Sequence, residues 1–237
     1  CDGTQGTRSI EAGLLAVDGH DVPMSLTLVD LVSDAVVRGI VVGASDISDL
    51  VEARSTLHHR ANHDDLTGLP NRTHLLRRLS EVLDRDDAQP HTLLFCDVDR
   101  LKPVNDRHGH RAGDEVLRDF ACRMAGSIRV DVDWVVRYGG EEFLIVLPET
   151  DLPPACVVAE RLRQLVEETP FKLKEGESCI TASFGVAVYQ PAQQAGPITL
   201  DQLMEQADGC LYQAKRDGRN TVRGAAARRP AAKGCTA

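Results

Sequence analysis

The sequence lacks several features that would each indicate a class of protein. No apolar run approaches the ~20 residues of a membrane helix, and no signal peptide stands at the start. Basic residues are not in excess, since 27 basic and 36 acidic side chains give a formal net charge of −9. A protein that coats nucleic acid is expected to be basic. We therefore expect no nucleic-acid partner, no membrane contact by this fragment, and a cytoplasmic location, with membrane tethering left open for a longer full-length protein.

Paired cysteines are also missing. The seven cysteines are scattered and form no C-x-x-C pair, which gives little support to a disulfide framework or a structural zinc site. Most of them stand in apolar runs, which predicts small buried side chains in a reducing compartment. What is present is 42% hydrophobic and 27% charged residues in a chain of 237. That composition allows one large domain, or one domain and a smaller piece.

Residues 1–46 alternate apolar and polar positions between turn signals. Val22 to Leu31 and Gly39 to Gly43 are typical of short antiparallel strands. Two or three strands are marginal alone, so this region either pairs with a partner or is incomplete.

The hydrophobic period changes in residues 47–63. Ile47, Leu50, Val51 and Leu57 fall at helical spacing, which predicts a linker helix ending near Asn62. Its narrow apolar stripe fits a parallel pairing seam or a helix lying on its own domain, and the sequence does not separate the two.

Helices and strands are interleaved in residues 64–222. One hairpin interrupts any simple βαβ repeat, which favours an α+β sheet with helices packed on one side. Residues 223–237 contain Ala, Arg, Pro and Lys with no acid, which predicts a disordered tail.

Two pairs of acids stand beside apolar strands. Asp97 and Asp99 end a short strand and, at spacing i and i+2, project to one face. Glu141 and Glu142 follow a Gly139-Gly140 pair, a strong signal for a two-residue hairpin in which both glycines take positive φ. Each pair also has an ordinary interpretation, as turn or rim residues. If the hairpin lies beside the Asp97 strand, however, the carboxylates converge, and such hard oxygen ligands select Mg²⁺.

Two further segments carry polar residues suited to a nucleotide. Asn105 and Asp114 offer an amide and a carboxylate, and a carboxylate can accept from the N1–H and amine of guanine together. Lys102 can reach a phosphate, and Asp114 also suits the N-cap of the following helix. Lys215 and Arg219, four residues apart near a helix end, can hold a triphosphate, although ordinary helix capping explains them too.

Together these segments resemble the GGDEF family of diguanylate cyclases, in its GGEEF variant. The resemblance covers about residues 64–222 with the segments in the family's order. Its motifs stand here as Asp65-Leu66-Thr67-Gly68-Leu69-Pro70-Asn71-Arg72, Asp97-Val98-Asp99, Lys102, Asn105-Asp106, Gly109-His110, Gly113-Asp114, Gly139-Gly140-Glu141-Glu142-Phe143, Ala214-Lys215 and Gly218-Arg219-Asn220.

The resemblance implies a palm-like nucleotidyl cyclase fold, ferredoxin-like, with a central antiparallel sheet flanked by helices. It implies condensation of two GTP into cyclic di-GMP and two pyrophosphates, with one GTP held by each subunit of a homodimer. A catalytically silent GTP-binding relay of the same fold is the alternative. The intact acids and guanine-reading residues favour the enzyme.

The family's roles carry over onto matching positions. Asp97, the backbone carbonyl of Val98, and Glu141 would bind Mg²⁺, for which Mn²⁺ can substitute, and Glu142 would add a metal contact. Glu141 would also act as the base for the ribose 3′-hydroxyl. The remaining roles are guanine recognition by Asn105 and Asp114, and phosphate binding by Lys102, Lys215 and Arg219.

The family's product-inhibition motif R-x-x-D is degenerate here. Asp133 is present, but Val130 stands where the arginine belongs, and a branched apolar side chain cannot make bidentate contacts to phosphate or guanine. We therefore predict weak or absent feedback inhibition through that site.

The N-terminal region more loosely resembles the last strands of a PAS sensor domain. The match rests on Gly39 to Ser48, which looks like a final strand and its exit into a signalling helix. The resemblance implies dimerisation and signal transmission, and no sensory cofactor is claimed.

Overall fold

The computed structural model describes residues 7–83, 89–174, 176–190 and 199–226. The chain divides into two compact units, Cys1–Arg60 and Ala61–Ala237. The second unit therefore begins slightly before residue 64, where the sequence placed its start.

The first unit is a three-stranded antiparallel sheet in the order β1-β2-β3. Its strands are β1 Thr7–Leu15, β2 Asp21–Leu31 and β3 Gly39–Asp46. The two strands expected from the sequence are confirmed, and β1 is an additional strand that precedes them. The helix α1 Ser48–Asn62 follows, close to the predicted linker helix.

The second unit has a five-stranded sheet in the order β10-β9-β4-β6-β5, antiparallel except that β10 runs parallel to β9. The α+β class is confirmed. The elements of the second unit are α2 Arg72–Leu83, β4 His91–Val98, α3 Leu101–His108, α4 His110–Ala125, β5 Trp134–Gly139, β6 Glu142–Pro148, α5 Leu152–Glu168, β7 Phe171–Leu173, β8 Gly176–Ser178, β9 Ala182–Tyr189, α6 Leu200–Arg216 and β10 Val222–Ala226.

Helices cover both faces of this sheet, so the expectation of one-sided packing is wrong. β4 and β9 are buried along their whole length, and a strand that is apolar on both faces needs cover on both. One core lies with α3, α4 and α5 and includes Phe120 and Phe143. The other lies with α2 and α6 and includes Leu75 and Leu211.

The predicted disordered tail begins too early. Residues 223–226 belong to β10, which pairs Val222 with Phe184 and Ala226 with Val188 of β9. Small residues allow this strand to lie close to α5, because a Cβ on Gly224 would stand 2.9 Å from Sγ of Cys156. Residues 227–237 lie outside the described residues, so that part of the prediction stays a prediction.

The cysteines do not share the burial that the sequence predicted. Of the five cysteines in the described ranges, Cys96 is fully buried while Cys122 and Cys179 are exposed, so burial is not their common feature. Among the helices described, none is both long enough and apolar enough to cross a membrane.

Candidate active site

The two acidic segments meet at one end of the neighbouring strands β4 and β6. The β4–β6 register sets Asp97 opposite Glu142, and the N–H of Val98 donates to the carbonyl oxygen of Glu141 at 3.1 Å. The hairpin therefore lies beside the Asp97 strand, and the two pairs of acids converge as the sequence predicted.

The hairpin turn itself differs from the prediction. Gly139 pairs with Glu142, so the two turn residues are Gly140 and Glu141. Gly140 takes φ 53, while Gly139 is not among the residues with positive φ. A register shift between Arg137 and Gly139 explains the difference, because the irregularity moves the turn along by one residue.

Asp97 is a buried carboxylate, with only 4% of the residue exposed. Burial raises its pKa to about 6, and repulsion from Glu141 and Glu142 adds to the rise, while the hydrogen bond from Lys215 opposes it. The Nζ atom of Lys215 lies 2.8 Å from Oδ2 of Asp97. The charged form of Asp97 therefore depends on a nearby cation.

Glu141 has the same tendency in a more open position. Burial raises its pKa, the positive charge of Lys215 lowers it, and Glu142 and Asp99 raise it further. In the described part of the chain, no group of three or more His, Cys, Asp or Glu side chains forms a complete metal site. Two carboxylates fit a hard cation that takes its other ligands from water and phosphate, as Mg²⁺ commonly does.

Asp99 is as buried as Asp97, but both of its carboxylate oxygens accept hydrogen bonds from within the chain. The hydroxyls of Thr181 and Ser183 donate to its two oxygens at 2.7 and 2.8 Å. The backbone N–H of Asn220 donates to Oδ2 at 3.1 Å. Asp99 thus joins β9 and the closing loop (residues 217–221, between α6 and β10) to the end of β4. These partners distinguish Asp99 from Asp97, although the i, i+2 spacing places both on one face.

The closing loop brings Arg219 to the same end of the sheet. Gly218, Arg219 and Asn220 all take positive φ, at 114, 69 and 45. Such a run is unfavourable for two non-glycine residues, and the bond from Asn220 to Asp99 holds it. Nε of Arg219 lies 4.0 Å from Oδ1 of Asp99. Lys215 and Arg219 therefore each face one aspartate.

Asn105 lies on α3 against α4. A Cβ on Gly113 would stand 1.9 Å from Oδ1 of Asn105, so a larger residue at position 113 would force the Asn105 side chain to move. That oxygen is buried and has no hydrogen-bond partner among the described residues. A buried acceptor without a partner is costly, and a ligand that donates a hydrogen bond would remove the cost.

Asp114 follows Gly113 inside α4 and does not cap it. The helix begins at His110 after Gly109, whose φ of 80 separates it from α3. Capping by Asp114 is therefore wrong, and its carboxylate is not used at the helix start. Lys102 is exposed at the beginning of α3. The first residue of α3, Leu101, follows Asp99 by two, which links these residues to the acidic end of β4.

An ion pair that the sequence analysis missed fixes the hairpin. Nη1 of Arg137 lies 2.8 Å from Oδ1 of Asp64, and the Nε and Nη2 atoms donate to the carbonyl of Gly140 at 3.2 and 2.8 Å. Thr67 also donates to Asp64. The opening motif was read from Asp65, and the bonded acid is the residue before it. The sequence feature that indicates this ion pair is Arg137, a charged residue in an apolar strand two residues before Gly139.

The two motif positions Val130 and Asp133 differ in their contacts. Val130 is 81% exposed. Asp133 accepts from the backbone N–H of Arg129 at 2.9 Å and from its Nη2 at 2.6 Å. The side chain of Asp133 is only 4% exposed. The retained acid is therefore occupied within the chain.

Comparisons with known proteins show the family to which this chain is similar. Residues 61–221 match the family model described as "Diguanylate cyclase, GGDEF domain". The response regulator PleD of Caulobacter vibrioides is 39% identical over 179 residues, which are 73% of this chain and 39% of PleD. The diguanylate cyclase DgcM of Escherichia coli is 37% identical over 179 residues, which are 75% of this chain and 42% of DgcM. The chain thus spans about two fifths of the length of these relatives.

A solved structure gives the same result for the fold. The coiled coil and GGDEF domain of DgcB from Caulobacter crescentus, in complex with c-di-GMP, superposes with a TM-score of 0.67. It is 29% identical and covers 76% of this chain and 93% of that one.

Proposed function

The chain belongs to the GGDEF family of diguanylate cyclases, and on that premise we propose that it condenses two GTP into 3′,5′-cyclic di-GMP and two pyrophosphates. The observation that carries the proposal is the buried Asp97 beside Glu141 and Glu142, with Lys215 as counter-charge. A silent GTP-binding relay leaves this costly arrangement without a use.

The acids would hold a divalent cation, which we propose is Mg²⁺ with Mn²⁺ as a substitute. Asp97, the Val98 carbonyl and Glu141 would hold it, with Glu142 as a further contact. The ion supplies charge neutralisation at the phosphates and a lower pKa for a bound hydroxyl. Glu141, whose own pKa is raised by burial, is suited to accept the proton of the ribose 3′-hydroxyl near neutral pH.

The remaining residues would bind and orient GTP. The unpartnered Oδ1 of Asn105 accepts a hydrogen bond from the guanine, and Asp114 accepts from its N1–H and amine. Lys102, Lys215 and Arg219 contact the phosphates. Arg137 holds the turn through Asp64, which keeps Glu141 in a fixed position.

The reaction joins two GTP, so we propose a homodimer with one GTP on each subunit. We also propose that residues 1–46 are a PAS-like β fragment and that α1 is a pairing helix. In support, Leu50 and Leu57 of α1 are 62% and 68% exposed and lie seven residues apart, as coiled-coil positions do. Changing both to Asp should shift the chain towards monomer in analytical ultracentrifugation, and an unchanged dimer would exclude this seam.

The activity test uses purified chain, GTP and MgCl₂, with chromatography of the nucleotides. We expect cyclic di-GMP from the wild type and none from Glu141→Gln, because the amide cannot accept the proton. Circular dichroism checks that the variant folds. Glu115→Gln on α4 is the matched control and should turn over normally. Product from Glu141→Gln at the wild-type rate would contradict the role of Glu141.

A further inference from the structure

A polar cavity lies beside α3, on the side away from the residues proposed to bind guanine. Its volume is about 400 Å³, within the range of ligand sites. Pro103, Val104 and Arg107 of α3 form one wall, whereas Asn105 turns towards Gly113 of α4. Residues 178–181, from the last residue of β8 to the residue before β9, form the other wall. Gly218 and Arg219 close one end.

Positive charge dominates this cavity. Arg100, Arg107 and Arg219 line it, and Asp99 is the one acid among its lining residues. Asp99 is already bonded to two hydroxyls and a backbone N–H. Three guanidinium groups against one satisfied carboxylate leave an excess of two positive charges.

Two of these guanidinium groups have no counter-charge. Within residues 7–83, 89–174, 176–190 and 199–226, Arg100 and Arg107 make no ion pair or side-chain hydrogen bond. Five other arginines of this unit bind carboxylates at 2.6–2.8 Å, and Arg219 lies 4.0 Å from Asp99. Arg100 also stands at φ 57 before α3, a conformation that costs energy in a long side chain. Neither residue belongs to the metal- or guanine-binding set.

We propose that this cavity binds a polyphosphate anion, with Arg100 and Arg107 as its principal contacts. Guanidinium groups bind phosphate oxygens in pairs of parallel hydrogen bonds, and three of them around one cavity match a ligand with two or more phosphates. Arg219 lies at the end nearest the acids. If the proposed reaction occurs, its pyrophosphate is one source of such a ligand, and a nucleoside diphosphate is the other. Only the first source rests on the proposed function.

The test is isothermal titration calorimetry of the full chain with inorganic pyrophosphate, without GTP or divalent cation. We expect saturable binding that weakens about tenfold in Arg107→Gln, the usual scale for a lost charge-assisted contact. Arg100→Gln should weaken it likewise. Arg118→Gln, an exposed arginine on α4, is the control and should bind as the wild type does. Thermal unfolding checks that each variant folds.

A second titration with ADP separates the two sources, since the guanine-reading residues are not suited to adenine. Tighter binding of ADP than of pyrophosphate favours a nucleotide, and the reverse favours the reaction product. The proposal is overturned if pyrophosphate does not bind, or if Arg100→Gln and Arg107→Gln both bind it as tightly as the wild type. No cyclase assay enters this test, so an inactive enzyme would leave the binding result intact.

Discussion

Lys215 and Asp97 form an ion pair of 2.8 Å, the lysine Nζ lying against Oδ2 of the carboxylate that we propose holds the metal. The same lysine is proposed to contact phosphate. In the protein without nucleotide, the ammonium and a divalent cation would therefore compete for one acid. Nucleotide would draw the lysine away and leave the carboxylate to the ion.

This competition predicts opposite effects of one substitution. Lys215→Gln should bind Mn²⁺ several-fold more tightly than the wild type in the absence of nucleotide, yet lose most turnover of GTP. Electron paramagnetic resonance of free Mn²⁺ gives the first quantity. Lys172→Gln, on the exposed side of β7, is the control. Equal or weaker Mn²⁺ binding by Lys215→Gln would exclude the competition.

The raised pKa of Asp97 predicts a stability change with a definite pH dependence. Its pKa in the folded chain, about 6, lies above the ordinary 3.8, so the stability linked to its proton is complete below pH 3.8 and lost as pH rises through 6. Asp97→Asn removes the buried charge and should raise the free energy of unfolding on the order of 2–3 kcal/mol at pH 8.

The gain from Asp97→Asn should fall to about half at pH 5, because the folded wild type is then largely protonated. Urea unfolding at the two pH values measures it, with the exposed Asp106→Asn as control. A gain of the same size at both pH values would show that the carboxylate charge is not its cause.

The bond between Arg137 and Asp64 predicts a measurable coupling. Both side chains are largely buried, so removing one leaves the other without its partner. A double-mutant cycle with Asp64→Ala and Arg137→Ala should give a coupling free energy of about 1–3 kcal/mol in urea unfolding. The ion pair between Arg223 and Asp217, which is more exposed, should give under about 1 kcal/mol. Additive effects at the first pair would mean that it does not hold the hairpin.

The contact between Gly113 and Asn105 predicts a defect confined to GTP recognition. In Gly113→Ala the new methyl group would overlap Oδ1 of Asn105, which must rotate away. The KM for GTP should rise at least tenfold with a smaller change in kcat. Gly209→Ala is the matched control on α6, where a Cβ meets nothing within 4 Å, and it should stabilise the fold by about 0.5–1 kcal/mol. An unchanged KM in Gly113→Ala would argue against guanine binding by Asn105.

The contacts of Asp133 predict that product does not inhibit through the degenerate motif. Titrating cyclic di-GMP into the GTP reaction should give no tight noncompetitive inhibition. Val130→Arg alone should not create it, because Asp133 remains bonded to Arg129. Tight inhibition of the wild type that disappears in Asp133→Ala would contradict this account.

The sequence predicted the acidic pairs, the hairpin and the helices that carry most of the polar residues, because each leaves a local signal of spacing or turn chemistry. It could not separate Asp97 from Asp99, which have the same residue type and one strand in common. Their difference arises from Thr181 and Ser183, more than eighty residues away along the chain. Long-range pairing of this kind has no local pattern.

Long-range pairing and local backbone geometry also explain the wrong boundaries predicted for the C-terminal tail and for α4. The strand at Val222–Ala226 has a composition typical of a tail, and it forms because the backbone of β9 offers unpaired groups beside it. The start of α4 was misplaced because Asp114 is a good N-cap in isolation, while Gly109 breaks the chain earlier through its φ of 80.

The strand β10 also affects where the GGDEF unit can be cut for expression or for fusion to another domain. The family match ends at residue 221, one residue before β10 begins. A truncation there would remove β10 and expose the apolar edge of β9 at Phe184–Val188. An exposed apolar edge strand favours association between chains. We expect fusions that keep the five residues of β10 to stay monodisperse and fusions that end at residue 221 to associate.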